Sequence, residues 1–169
     1  LVVEQSPNSI IITDLQARIE YVNPAFTQNT GFAAQDVLGQ NPRLLQSGET
    51  PKATYEQMWA TLLAGKTWTG EFTNRSRNGR TIVEYAIIIP LMQSGGTITH
   101  YVAIKEDITL KRQQEARLNM LALAVEQSPE SIVVTNLQAQ IEYVNETFVR
   151  NTGYNRDEVL GQNPRVLQS

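Results

Sequence analysis

The sequence predicts an α+β fold: one complete domain, a connecting helix, and the opening part of a second copy of the same domain. Three observations carry this. Residues 3–47 recur at 125–169 with a constant offset of 122, no gap and 30 of 45 positions identical. Two hairpin signals follow one another between residues 68 and 108. A stretch starting at Leu110, LKRQQEARLNMLALAVEQ, contains neither Gly nor Pro. A period of 122 is too long for a solenoid and suits a tandem domain.

The elements follow in chain order. Ser9–Asp14 is a β-branched run and Arg18–Val22 alternates, so both read as strands, joined by a turn at Leu15–Ala17. The two copies differ by Ile-to-Val exchanges at 11/133 and 12/134, which keep the character of a buried strand. Asn23-Pro24 is an N-cap followed by a first-turn proline, and Gly31 closes that helix. Ala34–Leu38 is a further short helix. Thr50-Pro51 repeats the cap-and-proline pattern ahead of a helix whose apolar face is Tyr55, Met58, Trp59, Leu62 and Leu63. Trp68–Ser76 and Arg80–Met92 are strands joined at Asn78-Gly79, and Arg80–Met92 joins Thr97–Ile108 at Ser94-Gly95-Gly96. Consecutive hairpins make an antiparallel meander. Leading strands, short helices and a closing meander place the helices on one face of a sheet.

Composition narrows the function classes. The chain has 169 residues, 41% apolar and 18% charged, with net charge −3. That excludes wholesale disorder and leaves no electrostatic footprint for nucleic acid or an anionic membrane. Cysteine is absent, which removes disulfides, thiolate metal sites and cysteinyl adducts. The one histidine is His100. No apolar run approaches the length that spans a bilayer. The chain opens at Leu1 without methionine or a signal peptide, and is expected to be a piece of a longer, cytoplasmic protein. No nucleophile–base pair, phosphate loop or metal cluster stands out, so no enzyme activity is expected of this segment itself.

Some positions invite a chemical reading. Trp68, Phe72 and Asn74 share one face of their strand. A buried amide beside two aromatics needs a partner, either the backbone near Asn78-Gly79 or a ligand. If Gly95-Gly96 makes a two-residue turn, Glu84 faces Asp107, and Lys105 lies one diagonal away as a cross-strand ion-pair partner of Glu84. His100 falls on the opposite alternation, as a surface or interface residue. Trp59 belongs in the core, and Tyr21 and Tyr143 are repeat-related structural residues. Leu118, Leu121 and Val125 form a short heptad-like seam, suited either to a rigid spacer or to pairing with the same helix of a second chain.

Taken in order, VEQSP, SIIITDLQARIEYVNPAFTQNTGF, VLGQNPRLLQSGETP, the NRSRNG hairpin and YVAIKEDIT resemble a PAS domain. The resemblance runs over residues 3–109. It implies a five-stranded antiparallel sheet, helices across one face and a cavity between them. It divides the chain into a PAS domain at 3–109, a helical linker at 110–124 and an incomplete second PAS domain at 125–169. That second part is either completed by other sequence or exchanged onto the meander at 48–109.

Within the family, GQNPRLLQ at 39–46 resembles the GRNCRFLQ motif of photosensing LOV domains, with Pro42 where their reactive cysteine stands. Asn41 and Asn74 match flavin-contacting positions, whereas Glu84 replaces an Asn and Lys105 replaces a Gln. A closer likeness is to flavin-binding redox PAS domains of the NifL and MmoS type. It is carried by SG-x-TP, the Trp59 helix and GKTWTGEFTNRSRNG. This implies non-covalent FAD, with a site drawn from Asn41, Trp68, Asn74, Glu84 and Lys105. The resemblance further implies a sensory module of a bacterial signalling protein, with histidine kinase or cyclic-di-GMP output. Its partners would be a small-molecule ligand or flavin, a second copy in a homodimer, and a C-terminal output domain. The alternative is a ligand-free dimerisation module.

Overall fold

The computed structural model describes residues 3–167, so Gln168 and Ser169, the expected end of the second copy, lie outside the described residues. The chain forms two units, residues 1–112 and 113–169.

The first unit is built on a five-stranded antiparallel sheet. Its strands are β1 (Ser9–Thr13), β2 (Ile19–Val22), β3 (Trp68–Arg75), β4 (Thr81–Met92) and β5 (Ile98–Asp107). They lie in the order β2-β1-β5-β4-β3, so the last strand occupies the centre. The α+β sheet with its helices on one face is the architecture expected from sequence.

Three helices lie between β2 and β3: α1 (Pro24–Thr30), α2 (Ala34–Val37) and α3 (Lys52–Leu63). Asn23 caps α1 by accepting from Phe26 N at 3.1 Å, and Gly31 closes it at φ +76°, where a side chain would be strained. The 3-10 turn Pro42–Leu45 was not anticipated. Thr50 is not the cap of α3; Pro51 holds that place without a side-chain bond. The Thr50 hydroxyl instead accepts from Thr73 N at 2.8 Å, tying the start of α3 to β3. Met58 and Leu62 are buried on the inner face of α3, but Leu63 is 70% exposed, because it sits beyond the edge of the apolar stripe.

Cross-strand register fixes the inner face of the sheet. One row runs Val22–Ile11–Ala103–Ile88–Trp68, and the next runs Ser9–Lys105–Ala86–Gly70. Glu84 faces Asp107, as expected, but the route differs. Five residues, 93–97, separate β4 from β5, Gln93 N donates to Thr97 O at 3.0 Å, and a register shift at Leu91/Met92 restores the pairing beyond the turn. Two apolar clusters form the core. Met58, Leu62, Trp68, Phe72, Ile88 and Tyr101 lie under α3. Ile11, Ile19, Val22, Phe26, Val37 and Leu45 lie under α1 and α2. Ala103, on the central strand, touches both. It also lines the cavity between them.

Helix α4 (Thr109–Glu126) starts two residues after β5 and extends beyond the expected 110–124 at both ends. Its first turn is tied to the first unit: Thr109 N donates to Asp107 Oδ1 at 3.0 Å, Thr109 Oγ1 accepts from Val83 N at 2.9 Å, and Arg112 pairs with Glu71. None of its residues is buried.

The second unit repeats the start of the first. It comprises β6 (Val133–Thr135), β7 (Ile141–Val144), α5 (Glu146–Thr152), α6 (Arg156–Val159) and a 3-10 turn at Pro164–Leu167. Its core is Ile141, Val144, Phe148 and Val159. The repeat extends to individual hydrogen bonds. Asn145 Oδ1 accepts from Ile132 N and Phe148 N, as Asn23 Oδ1 does from Ile10 N and Phe26 N. Tyr143 donates to Glu126, as Tyr21 does to Glu4. Both phenols are held above their ordinary pKa by that bond to a carboxylate.

Candidate functional site

A cavity of about 360 Å³ lies between the two core clusters of the first unit. That is within the range of about 300–1,000 Å³ typical of small-molecule sites. The wall from α3 and the sheet is largely aromatic and apolar, with Tyr55, Met58, Trp59, Phe72 and Tyr101. Tyr55 stacks on Phe72 with centroids 5.5 Å apart, and Trp59 meets Tyr101 edge-on at 5.6 Å. The opposite wall comes from the β1–β2 turn and the Pro42–Leu45 turn, and presents Thr13, Ala17, Asn41, Arg43 and Gln46.

Asn41, Asn74 and Lys105, three of the five residues singled out from sequence, line the cavity. Asn41 Oδ1 accepts from Arg43 N at 3.0 Å, which orients the amide at the start of the 3-10 turn. Asn74 is 4% exposed, and its Nδ2 donates to Glu84 Oε2 at 2.6 Å. Its partner is therefore Glu84, not the backbone of the Asn78-Gly79 turn. Lys105 Nζ donates to the same Oε2 at 3.0 Å and lies 5.2 Å from the Phe72 ring centroid. The cross-strand ion pair expected from the alternation is thus present and buried.

The other two residues stand behind the wall. Glu84 is not on the cavity surface and reaches it through Asn74 and Lys105. Trp68 packs against Phe72 at 5.1 Å and lies over Gly70, where a Cβ would fall 2.4 Å from the indole. His100 is on the other face of the sheet, 3.1 Å from Glu20.

Tyr55, Met58, Tyr101, Arg43 and Gln46 were not singled out as site residues. Tyr55 and Met58 were legible as the apolar face of α3, but that pattern does not separate a core residue from a cavity-lining one. Arg43 and Gln46 sit inside the GQNPRLLQ motif and had a signal there.

The wall set has aromatic rings, three amides, an ammonium held by a carboxylate behind it, and a guanidinium at one side. Among the described residues, no carboxylate lines the cavity. Such a wall offers stacking surface and both hydrogen-bond donors and acceptors, with cationic side chains at Lys105 and Arg43.

The fold and this cavity define a class: a five-stranded α+β domain that encloses a small-molecule-sized space beneath its helices. Residues 7–110 match the family model for the PAS domain, and residues 119–169 match one for the PAS fold. The chain belongs to the PAS family. It is 35% identical over 158 residues to the nitrogen fixation regulatory protein of Klebsiella pneumoniae, an alignment covering 89% of this chain and 32% of that protein. It is 36% identical over 114 residues to hybrid signal transduction histidine kinase L of Dictyostelium discoideum, covering 67% and 6%. Among solved structures, the LOV domain of a blue-light-activated histidine kinase from Erythrobacter litoralis is similar at 25% identity and TM-score 0.57, over 62% of this chain and 98% of that one. The chain therefore spans about a third or less of the two full-length relatives. No helix among the described residues is long and apolar enough to cross a membrane.

Proposed function

We propose that the first unit, taken as residues 3–109, is a sensory PAS module that binds FAD non-covalently as a redox sensor and relays its state through the 110–124 linker. The observation that carries this is the cavity: a ring-sized space between aromatic walls, with Asn41, Asn74 and Lys105 presented to it. Neutral amides suit a flavin edge because they both donate and accept. Flavin, when bound, supplies reversible electron uptake. Glu84 holds the Asn74 amide in one orientation and compensates the Lys105 charge, so both groups are fixed before a ligand arrives. A cysteinyl adduct is unavailable to a chain without cysteine, which favours redox over adduct photochemistry.

The relay reading rests on α4, whose first turn is hydrogen-bonded to β4 and β5. In the longer protein this module would serve an output domain such as a histidine kinase or a cyclic-di-GMP enzyme, in a cytoplasmic homodimer, and 125–169 would open a second PAS domain. A second reading, a ligand-free dimerisation module, is favoured by the uncovered apolar side chains of α4.

Flavin content separates the two. Protein purified in the dark and incubated with FAD should absorb near about 450 nm at one flavin per chain, and Asn74→Ala should lower the occupancy. A colourless protein that takes up no added FAD overturns the flavin reading, as does full occupancy in Asn74→Ala together with Lys105→Ala and Asn41→Ala.

A further inference from the structure

The hydrogen bonds behind the cavity wall decide which end of the Asn74 amide is left for a ligand. Glu84 is 2% exposed, and its Oε2 accepts from both Lys105 Nζ and Asn74 Nδ2. An amide can turn over and exchange its donor for its acceptor, but a carboxylate paired with an ammonium only accepts. Turned over, Asn74 would set Oδ1 against Glu84 Oε2 at the present 2.6 Å, oxygen against oxygen in a site stripped of water. The NH2 end is therefore fixed on Glu84. Asn74 lines the cavity, and among the described residues no group donates to its Oδ1. That oxygen is not sealed within the protein either. Asn74 brings an acceptor to the wall.

The other groups of fixed polarity are donors. Asn41 Oδ1 is taken by Arg43 N at 3.0 Å, which leaves Nδ2 of that amide. Lys105 carries three N–H bonds and gives one to Glu84. Its charge is already answered by that carboxylate, so a ligand beside it needs no charge of its own. One acceptor and two donors, on an otherwise aromatic wall, call for a ligand edge that carries both a donor and an acceptor.

We propose that Glu84 sets the hydrogen-bond polarity of this cavity, and that the cavity selects planar heterocycles with an uncharged lactam or imide edge. The ligand N–H meets Asn74 Oδ1, and a carbonyl oxygen meets Lys105 or Asn41. A heterocycle whose edge only accepts is disfavoured, because it leaves the Asn74 oxygen desolvated and unpaired. Glu84 does not touch the ligand; it is a positioning residue that acts through Asn74. The inference rests on the reading of the cavity as a ligand site, and the imide of the FAD ring is one such edge.

The test compares FAD with FAD methylated at the imide nitrogen, which differs only by loss of that N–H and gain of a methyl group. Both are titrated into the full 169-residue chain, and the ratio of their Kd values is read. The parent should bind the methylated form at least about tenfold more weakly. Asn74→Leu keeps the volume and removes the acceptor, so its ratio should fall to within about threefold of one even though both ligands bind it more weakly. Glu84→Gln with Lys105→Met frees the amide to turn, and the ratio should fall there too. A merely structural role for Glu84 would weaken both ligands alike and leave the ratio unchanged. Thermal unfolding shows which variants are folded, and if Asn74→Leu is not, the double variant carries the test. A ratio near one in the parent overturns the proposal, as does a full ratio in either folded variant, since the methyl group would then be rejected by shape alone. A parent that takes up no FAD overturns the flavin reading and this inference with it. A parent that binds both forms equally overturns this inference alone.

Discussion

Lys105 Nζ lies 3.0 Å from Glu84 Oε2, and the two side chains are only 7% and 2% exposed. The register makes room for this pair. Lys105 occupies a row with Ser9, Ala86 and Gly70, so small neighbours flank the long lysine stem. Asn74 completes the carboxylate's partners. Neither charge is stable here without the other, because burial strips both of water.

Breaking the pair should therefore cost more than removing it. Lys105→Met or Glu84→Gln alone should destabilise the first unit by about 3–5 kcal/mol, while the double variant recovers most of the loss. Urea denaturation of the four proteins in a double-mutant cycle measures this. Additive losses would show that the two groups do not interact.

Gly70 is the second sensitive point. An alanine there places its Cβ 2.4 Å from the Trp68 indole. Gly70→Ala should cost about 1–3 kcal/mol through displacement of the ring, with a change in tryptophan emission and a lower Tm. Unchanged emission and Tm would mean that the indole has another place to go.

The second unit should loosen in acid. Glu126 accepts a hydrogen bond from Tyr143, and this, with Arg156 nearby, holds its carboxyl below the ordinary 4.5. A carboxyl with a lowered folded pKa stabilises above its unfolded pKa, and that contribution is lost as pH falls through the folded value. Protection against hydrogen exchange at the end of α4, taken relative to the intrinsic rate at each pH, should fall between about pH 5 and pH 3, and Tyr143→Phe should flatten the dependence. Asp14, whose carboxyl is lowered mainly by the backbone bond from Arg18, acts in the same direction in the first unit. The comparison is therefore parent against Tyr143→Phe at the same amides. An equal pH response in both would remove Glu126 as its source.

Helix α4 exposes Leu118 by 66% and Leu121 by 50%. Paired helices would cover that seam. Leu118→Asp with Leu121→Asp should convert a dimer into a monomer in sedimentation equilibrium, with flavin content unchanged. A persisting dimer would place the interface elsewhere.

Local and repetitive features of this protein were legible in the sequence. The repeat announced the second copy, Asn23-Pro24 and Gly31 marked the limits of α1, and strand alternation brought Glu84 and Lys105 to one face. These are short-range consequences of backbone geometry and period-two side-chain placement. The Thr50-Pro51 pattern misled because capping competes with tertiary partners, and the Thr50 hydroxyl finds a better one on β3. Only the tertiary structure decided which residues meet the cavity. Placing β5 between β1 and β4 sets Ala103 where the two core clusters join, on the wall of the cavity between them. The same packing draws Tyr101 and Lys105 into the wall and leaves Trp68 and Glu84 one layer behind it. Alternation assigns a side chain to a face, but the volumes of non-local neighbours determine whether it meets packed atoms or a void.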